Sequence, residues 1–154
     1  MRIALYQPDI PQNTGTILRL GACLGVEIDI IEPAGFSLSD KALKRAGLDY
    51  IDHLKMQRHE SFAAFDTWRA QAGRRLVLLT TAAQQSYADA AFRPDDILLL
   101  GRESAGVPPE VHARADLRIK VPMRAGLRSL NVAVAAAMVI GEALRQTGQL
   151  PAGA

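Results

Sequence analysis

The chain predicts an α/β domain, a mostly parallel sheet with helices on both faces, and three observations carry that reading. Short apolar runs alternate with helix-period patterns along its length, the signature of strands joined by helical crossovers. Val77-Leu78-Leu79 and Ile97-Leu98-Leu99-Leu100 are unbroken apolar runs, as expected of central parallel strands buried on both faces. Two glycine-bearing turns follow strands, one at Gly101–Gly106 and one around Gly126, and a helix comes soon after each. Turns of this kind at strand ends suit a ligand crevice in an open α/β sheet.

Taken in order, Arg2–Tyr6 reads as the first strand and Gln7–Gln12 as a proline-rich loop. Asn13 suits the N-cap of the next helix, where Ile17, Leu20, Gly21 and Leu24 share a face. Glu27–Glu32 is a second strand, ended by Pro33. Asp40 caps a predicted short helix whose Lys41, Lys44 and Arg45 form one cationic patch by their i, i+3, i+4 spacing. Tyr50–Leu54 is read as another strand, and Ser61–Ala72 as a helix with Phe62, Phe65 and Trp68 or Arg69 on one side. Arg75–Thr80 and Asp96–Leu100 are the two continuous strands, Leu117–Val121 the last strand and Ser129–Gln146 the last long helix. A single domain is expected over residues 1–154, with Gly148–Ala154 as a fraying tail.

Composition sets ordinary bounds. An apolar fraction of 49% and a charged fraction of 22% describe a soluble globular chain long enough for a real core. The net charge of +2 does not by itself announce a nucleic-acid binder. Fourteen of the 18 basic residues are Arg, the side chain suited to bidentate phosphate contact and base stacking, although a GC-rich genome produces the same bias. Cys23 stands alone, which excludes an internal disulfide, and its helical setting predicts a small core residue. Neither a leader-like nor a membrane-length apolar segment is found, so a cytoplasmic protein with no membrane partner is expected.

Several chemistries fit poorly. Gly101 and Gly106 have the spacing of a phosphate-binding loop, but Val107 and Pro108 stand where that loop needs Lys and Ser or Thr. No strand is followed by a dinucleotide fingerprint. His53, His59 and His112 are scattered without companions at metal spacing, so no metal is expected. A nucleophile elbow is absent as well.

Three segments remain. In Asn13-Thr-Gly-Thr-Ile-Leu-Arg19 a helix start is joined to an Arg, an arrangement able to hold an anion; taken alone, it is more simply a capped helix with a surface Arg. Gly101 at the end of a buried strand permits close backbone approach to a ligand, and Arg102 and Glu103 are placed to pair with each other or with a partner chain. Ser129 is the expected N-cap of the last helix, and Asn131, unfavourable in a first turn, is expected to hydrogen-bond something specific. The small residues Ala133 and Ala135–Ala137 suit either a core helix or a dimer seam.

Together these segments resemble the SPOUT superfamily of S-adenosylmethionine-dependent RNA methyltransferases. The closer resemblance is to the small bacterial tRNA 2′-O-ribose methyltransferases that modify the wobble cytidine or uridine. It begins at Leu5-Tyr-Gln-Pro-Asp-Ile-Pro-Gln-Asn-Thr-Gly15 and includes Ile30-Ile-Glu-Pro-Ala-Gly-Phe36, Lys44-Arg-Ala-Gly-Leu-Asp-Tyr50 and both glycine turns. The resemblance implies a C-terminal trefoil knot, a homodimer, tRNA as partner and S-adenosyl-L-methionine as methyl donor. It assigns the donor to Leu79, Thr80, Gly101, Val121, Ser129 and Leu130, and the RNA to Asn13, Gly15, Arg19, Glu103 and Asn131. Lys41 and Arg45 add a candidate RNA contact from their charge. The expected catalytic set is Arg19, Asn13 and Ser129. Because an Arg does not ordinarily deprotonate, Arg19 is expected to clamp a phosphate and stabilise charge developing on oxygen, leaving Ser129, phosphate or water as the proton's route. A base methyltransferase would want a carboxylate near Asn131, and that motif has none. A ribosomal RNA ribose methyltransferase fits better, though such enzymes usually carry an additional RNA-binding domain. A non-catalytic RNA-binding protein that kept the fold is the rival from a different class.

Overall fold

The computed structural model describes residues 1–39, 41–42 and 51–153. Its strands are β1 (Arg2–Tyr6), β2 (Glu27–Ile31), β3 (Met56–His59), β4 (Leu76–Leu79), β5 (Gln85–Ser86), β6 (Ile97–Leu100) and β7 (Leu117–Lys120). The α-helices lying wholly within the described residues are α1 (Pro11–Leu24), α2 (Phe62–Gln71), α3 (Pro109–Arg114) and α4 (Val132–Thr147). The strands form one sheet in the order β3-β2-β1-β6-β4-β7-β5, and all its ladders are parallel.

Side-chain alternation divides the core between the two faces. Ile3, Leu5, Leu98 and Leu100 pack with Ile17 and Leu18 of α1 and with Ala136, Val139 and Ile140 of α4. Ala4, Tyr6, Ile97 and Leu99 pack on the other side with Phe65 of α2 and Val111 of α3. With both faces covered, apolar side chains are required at successive positions, which accounts for the continuous runs in β4 and β6.

A polar network crosses the β1–β2–β3 side of the sheet. Asp29, fully buried, accepts from Arg2 Nε at 2.7 Å and Arg2 Nη2 at 3.0 Å, and its Oδ1 lies 2.8 Å from His59 Nε2. The Arg2 guanidinium also reaches Glu27 and lies 5.0 Å from the Trp68 ring centroid, so its charge is matched while almost wholly removed from water.

Several local expectations are corrected. The cap of α1 is Ile10, not Asn13, and Pro11 and Gln12 are already helical, because proline's fixed φ and missing N–H suit the first helical position. The residues read as a strand at 50–54 include a 3₁₀ turn, Ile51–His53, and the strand comes later as the polar β3; Tyr50 lies outside the described residues. The last helix begins at Val132 and is capped by Asn131, which displaces Ser129 from the predicted cap. Cys23 is exposed rather than buried, since the core face of α1 passes through Ile17, Leu18 and Gly21. Lys41 is exposed, while Asp40, Lys44 and Arg45 fall outside the described residues. Among the described residues no helix is long and apolar enough to cross a membrane.

Candidate active site

Leu100, Leu79 and Ile119 stand side by side at the carboxyl ends of β6, β4 and β7. Thr80 N–H donates to the Ile119 carbonyl at 2.9 Å, so the chain after β4 stays against β7 for one more residue. Beyond these ends opens a cavity of about 470 Å³, within the size range of small-molecule sites. Its walls include Leu79, Thr80, Gly101, Val121, Ser129 and Leu130, together with Asn13, Glu103 and Asn131.

The turn after β6 is tight. Arg102 and Gly106 exchange backbone hydrogen bonds, Arg102 N–H to the Gly106 carbonyl at 3.1 Å and Gly106 N–H to the Arg102 carbonyl at 2.7 Å. Gly106 takes φ 65°, in the left-handed region that favours glycine. A Cβ on Gly101 would lie 2.8 Å from both C and Cα of Gly106. Glycine at 101 is therefore required by a backbone contact rather than by dihedral freedom.

Asn131 joins two helices at the cavity. Its Oδ1 accepts from Ala133 N–H at 2.9 Å and Val134 N–H at 3.3 Å, capping α4, while its Nδ2 donates to Asn13 Oδ1 at 3.0 Å. Asn13 thus has its oxygen occupied by Asn131, and its two amide N–H groups are what it can offer a ligand. Asn131→Ala removes both functions. It is expected to lower stability by about 1 kcal/mol, the worth of one cap, in urea unfolding, and to weaken ligand binding at the cavity beyond that in calorimetry.

Glu103 does not pair with Arg102; both engage Asp9. Asp9 N–H donates to Glu103 Oε2 at 3.0 Å, Ser104 Oγ donates to Asp9 Oδ2, and Arg102 Nε lies 3.4 Å from the same oxygen. Burial first, and then the hydrogen bond with Asp9, pushes the Glu103 carboxyl above its usual range. Hydrogen bonds with Glu103 and then Ser104 hold Asp9 at about 2.

The expected donor residues are thus brought together with Asn13, Glu103 and Asn131, whereas Gly15, Arg19 and Lys41 do not line the cavity. Gly15 is buried within α1 and Lys41 is exposed. Arg19 is exposed roughly 9 Å along the α1 axis from Asn13, at 1.5 Å per residue. Arg45 lies outside the described residues. Sequence reasoning missed Ile10, Arg102 and Met123 in the cavity wall and Asp9, which bonds to Glu103 of that wall. The acid at Asp9 beside a proline-rich start was the available signal, but its partners are 94 and 95 residues away.

Fold and cavity together define an α/β protein that takes a ligand at the carboxyl ends of parallel strands, where the chain crosses from β7 to α4. The chain belongs to the SpoU rRNA methylase family, whose pattern matches residues 1–141. It is 67% identical over 148 residues to a tRNA (cytidine(34)-2′-O)-methyltransferase of Beijerinckia indica, covering 96% of this chain and 92% of that one. The protein of that name from Escherichia coli K12 is 39% identical, with 96% and 94% covered. Among solved structures, one described as "Structural insights into the 2-OH methylation of C/U34 on tRNA" matches with a TM-score of 0.86 and 46% identity, over 94% of each chain. The SpoU methyltransferase AviRb from Streptomyces viridochromogenes, in complex with AdoMet, matches with a TM-score of 0.84 and 27% identity, over 95% of this chain and 57% of that one.

Proposed function

We propose that this protein is an S-adenosylmethionine-dependent tRNA 2′-O-methyltransferase acting on the ribose of the wobble nucleotide, cytidine or uridine 34, in the anticodon loop. One observation carries the reading: the six donor residues expected from the sequence meet in one cavity, in a chain 67% identical to a protein named for this reaction. The AdoMet complex of AviRb supports the choice of donor.

The bound donor supplies a methyl group already activated by sulfonium charge. The protein's task is placement, and a well-oriented pair of reactants gains about 7–11 kcal/mol from it. The chain after β4, β6 and β7 holds the donor at Leu79, Thr80, Gly101, Val121, Ser129 and Leu130. Asn13, its amide oriented by Asn131, donates to the ribose. Arg19 clamps the neighbouring phosphate, Glu103 and Gly15 shape the RNA side, and Ser129 offers the 2′-proton a route out. Lys41 and Arg45 add cationic contacts to the RNA backbone.

The protein acts as one domain and as a homodimer in the cytoplasm, with RNA crossing the subunit boundary. Val134 and Met138, 51% and 40% exposed one turn apart on α4, supply an apolar face for the second copy. The segment from β7 to α4 forms the C-terminal trefoil knot. The insertion of β7 between β4 and β5 supports that path, though knots are otherwise nearly absent from proteins.

The deciding experiment is methyl transfer from labelled donor to tRNA lacking native modifications, followed by nucleoside analysis. A 2′-O-methylated nucleotide 34 is expected, and a product elsewhere overturns the position. Arg19→Ala is expected to lower turnover roughly ten- to hundredfold at saturating tRNA, the loss of one charge-assisted hydrogen bond. Unchanged turnover removes Arg19 from the mechanism.

A further inference from the structure

Three loops that leave the carboxyl ends of the neighbouring strands β2, β1 and β6 meet at Asp9. Its backbone N–H donates to Glu103 Oε2 at 3.0 Å, and its carboxylate accepts from Ser104 Oγ with Arg102 Nε 3.4 Å away, which ties the β1–α1 loop to the turn after β6. Gly35 N–H donates to the Pro8 carbonyl at 2.8 Å, and a Cβ on Gly35 would come within 2.8 Å of Asp9 Cβ, so the chain after β2 closes on the same point. Asn13, in the first turn of α1, and Glu103 both line the cavity, while Asp9, which does not line it, joins the segments that carry them.

We propose that Asp9 is a positioning residue for the RNA side of this site: its clamp on Glu103 and Ser104 sets the register in which Asn13 and Glu103 face the substrate together. The inference rests on the methyltransferase reading. Asp9 reaches the donor side through the 101–106 turn, and the backbone bonds between Arg102 and Gly106 hold that turn independently. Loss of the clamp therefore acts on RNA placement more than on donor affinity. The charged neighbours facing Asp9 are Arg102 and Glu103, both from the turn after β6.

Charge supports the geometry. Burial and Asp9 raise the Glu103 carboxyl, and hydrogen bonds hold Asp9 at about 2. A raised carboxyl favours the folded state more as pH falls through its folded value, whereas the contribution of Asp9 is lost only as pH falls toward about 2.

The test compares wild type with Asp9→Ala, Asp9→Glu and Ser104→Ala. It measures kcat and KM for unmodified tRNA, donor Kd by calorimetry and the Glu103 carboxyl titration by ¹³C NMR. Wild-type transfer to nucleotide 34 must be present, and its absence overturns the methyltransferase reading instead. Asp9→Ala is expected to lower kcat/KM for tRNA at least tenfold while donor Kd moves less than threefold and the Glu103 midpoint falls. Asp9→Glu is expected to recover part of the loss. Ser104→Ala should shift tRNA kinetics in the same direction to a smaller extent, and it carries the test if Asp9→Ala fails to fold. Wild-type tRNA kinetics in Asp9→Ala, or in Ser104→Ala where that variant carries the test, overturn the proposal. So does a donor Kd that rises as much as kcat/KM for tRNA falls.

Discussion

Gly101→Ala is expected to raise the donor Kd at least about 100-fold, about 2.7 kcal/mol, while leaving the sheet folded. The new Cβ would lie 2.8 Å from two backbone atoms of Gly106, and no flexible side chain can move aside. Relief must come from the 101–106 turn, which is pinned by the reciprocal bonds of Arg102 and Gly106. The turn would open, displacing cavity wall on the side that carries Gly101 and Glu103. Overpacking of this kind costs about 1–3 kcal/mol of stability, leaving a folded protein whose binding can be measured. Calorimetric titration of donor, with circular dichroism as the folding control, decides it. An affinity within threefold of wild type, in a folded variant, would mean that this turn does not hold the donor.

Asp29→Asn is expected to destabilise the fold by about 3 kcal/mol, the lower end for breaking a buried ion pair. The isosteric change removes the charge that faces Arg2, a residue only 8% exposed with its guanidinium near Trp68, and it disturbs the contact with His59. Glu27 retains one contact with the guanidinium, which moderates the loss. For a chain of this size the melting temperature should fall roughly 6–12 °C. Because the network lies across β1, β2 and β3, methyl transfer well below the transition should survive. A loss below about 1 kcal/mol in urea unfolding would mean that Glu27 alone satisfies Arg2.

The parallel sheet was legible because burial on both faces writes continuous apolar runs into β4 and β6. The positions that the resemblance assigns to the donor line one cavity, and Thr80, Gly101 and Val121 among them follow directly on β4, β6 and β7. What escaped depends on partners distant in sequence. The polar β3 carries no period-2 apolar pattern, since as an edge strand it buries only His59 at its end. Asn131 was recognised as needing a partner, yet only the fold brings Asn13 to it across 118 residues. Ser129 and Asn131 are both acceptable caps by residue type; the path of the chain over the cavity gives the cap to Asn131 and leaves Ser129 in the wall. The role of Asp9 is invisible to periodicity, because its partners come from the turn after β6.

The strand order also governs how the molecule is made. β1 is synthesised first, yet its second neighbour is β6, so one edge of the earliest strand waits for Ile97–Leu100 while β2 already occupies the other. β4, residues 76–79, likewise emerges before both of its neighbours in the sheet, β6 and β7. The centre of the sheet is thus assembled from non-local parallel pairings, the slow class of folding step. Residues 121–131 come later still and the start of α4 after them, so the ligand cavity is among the last features the nascent chain can complete, and until then exposed strand edges are open to pairing with another chain.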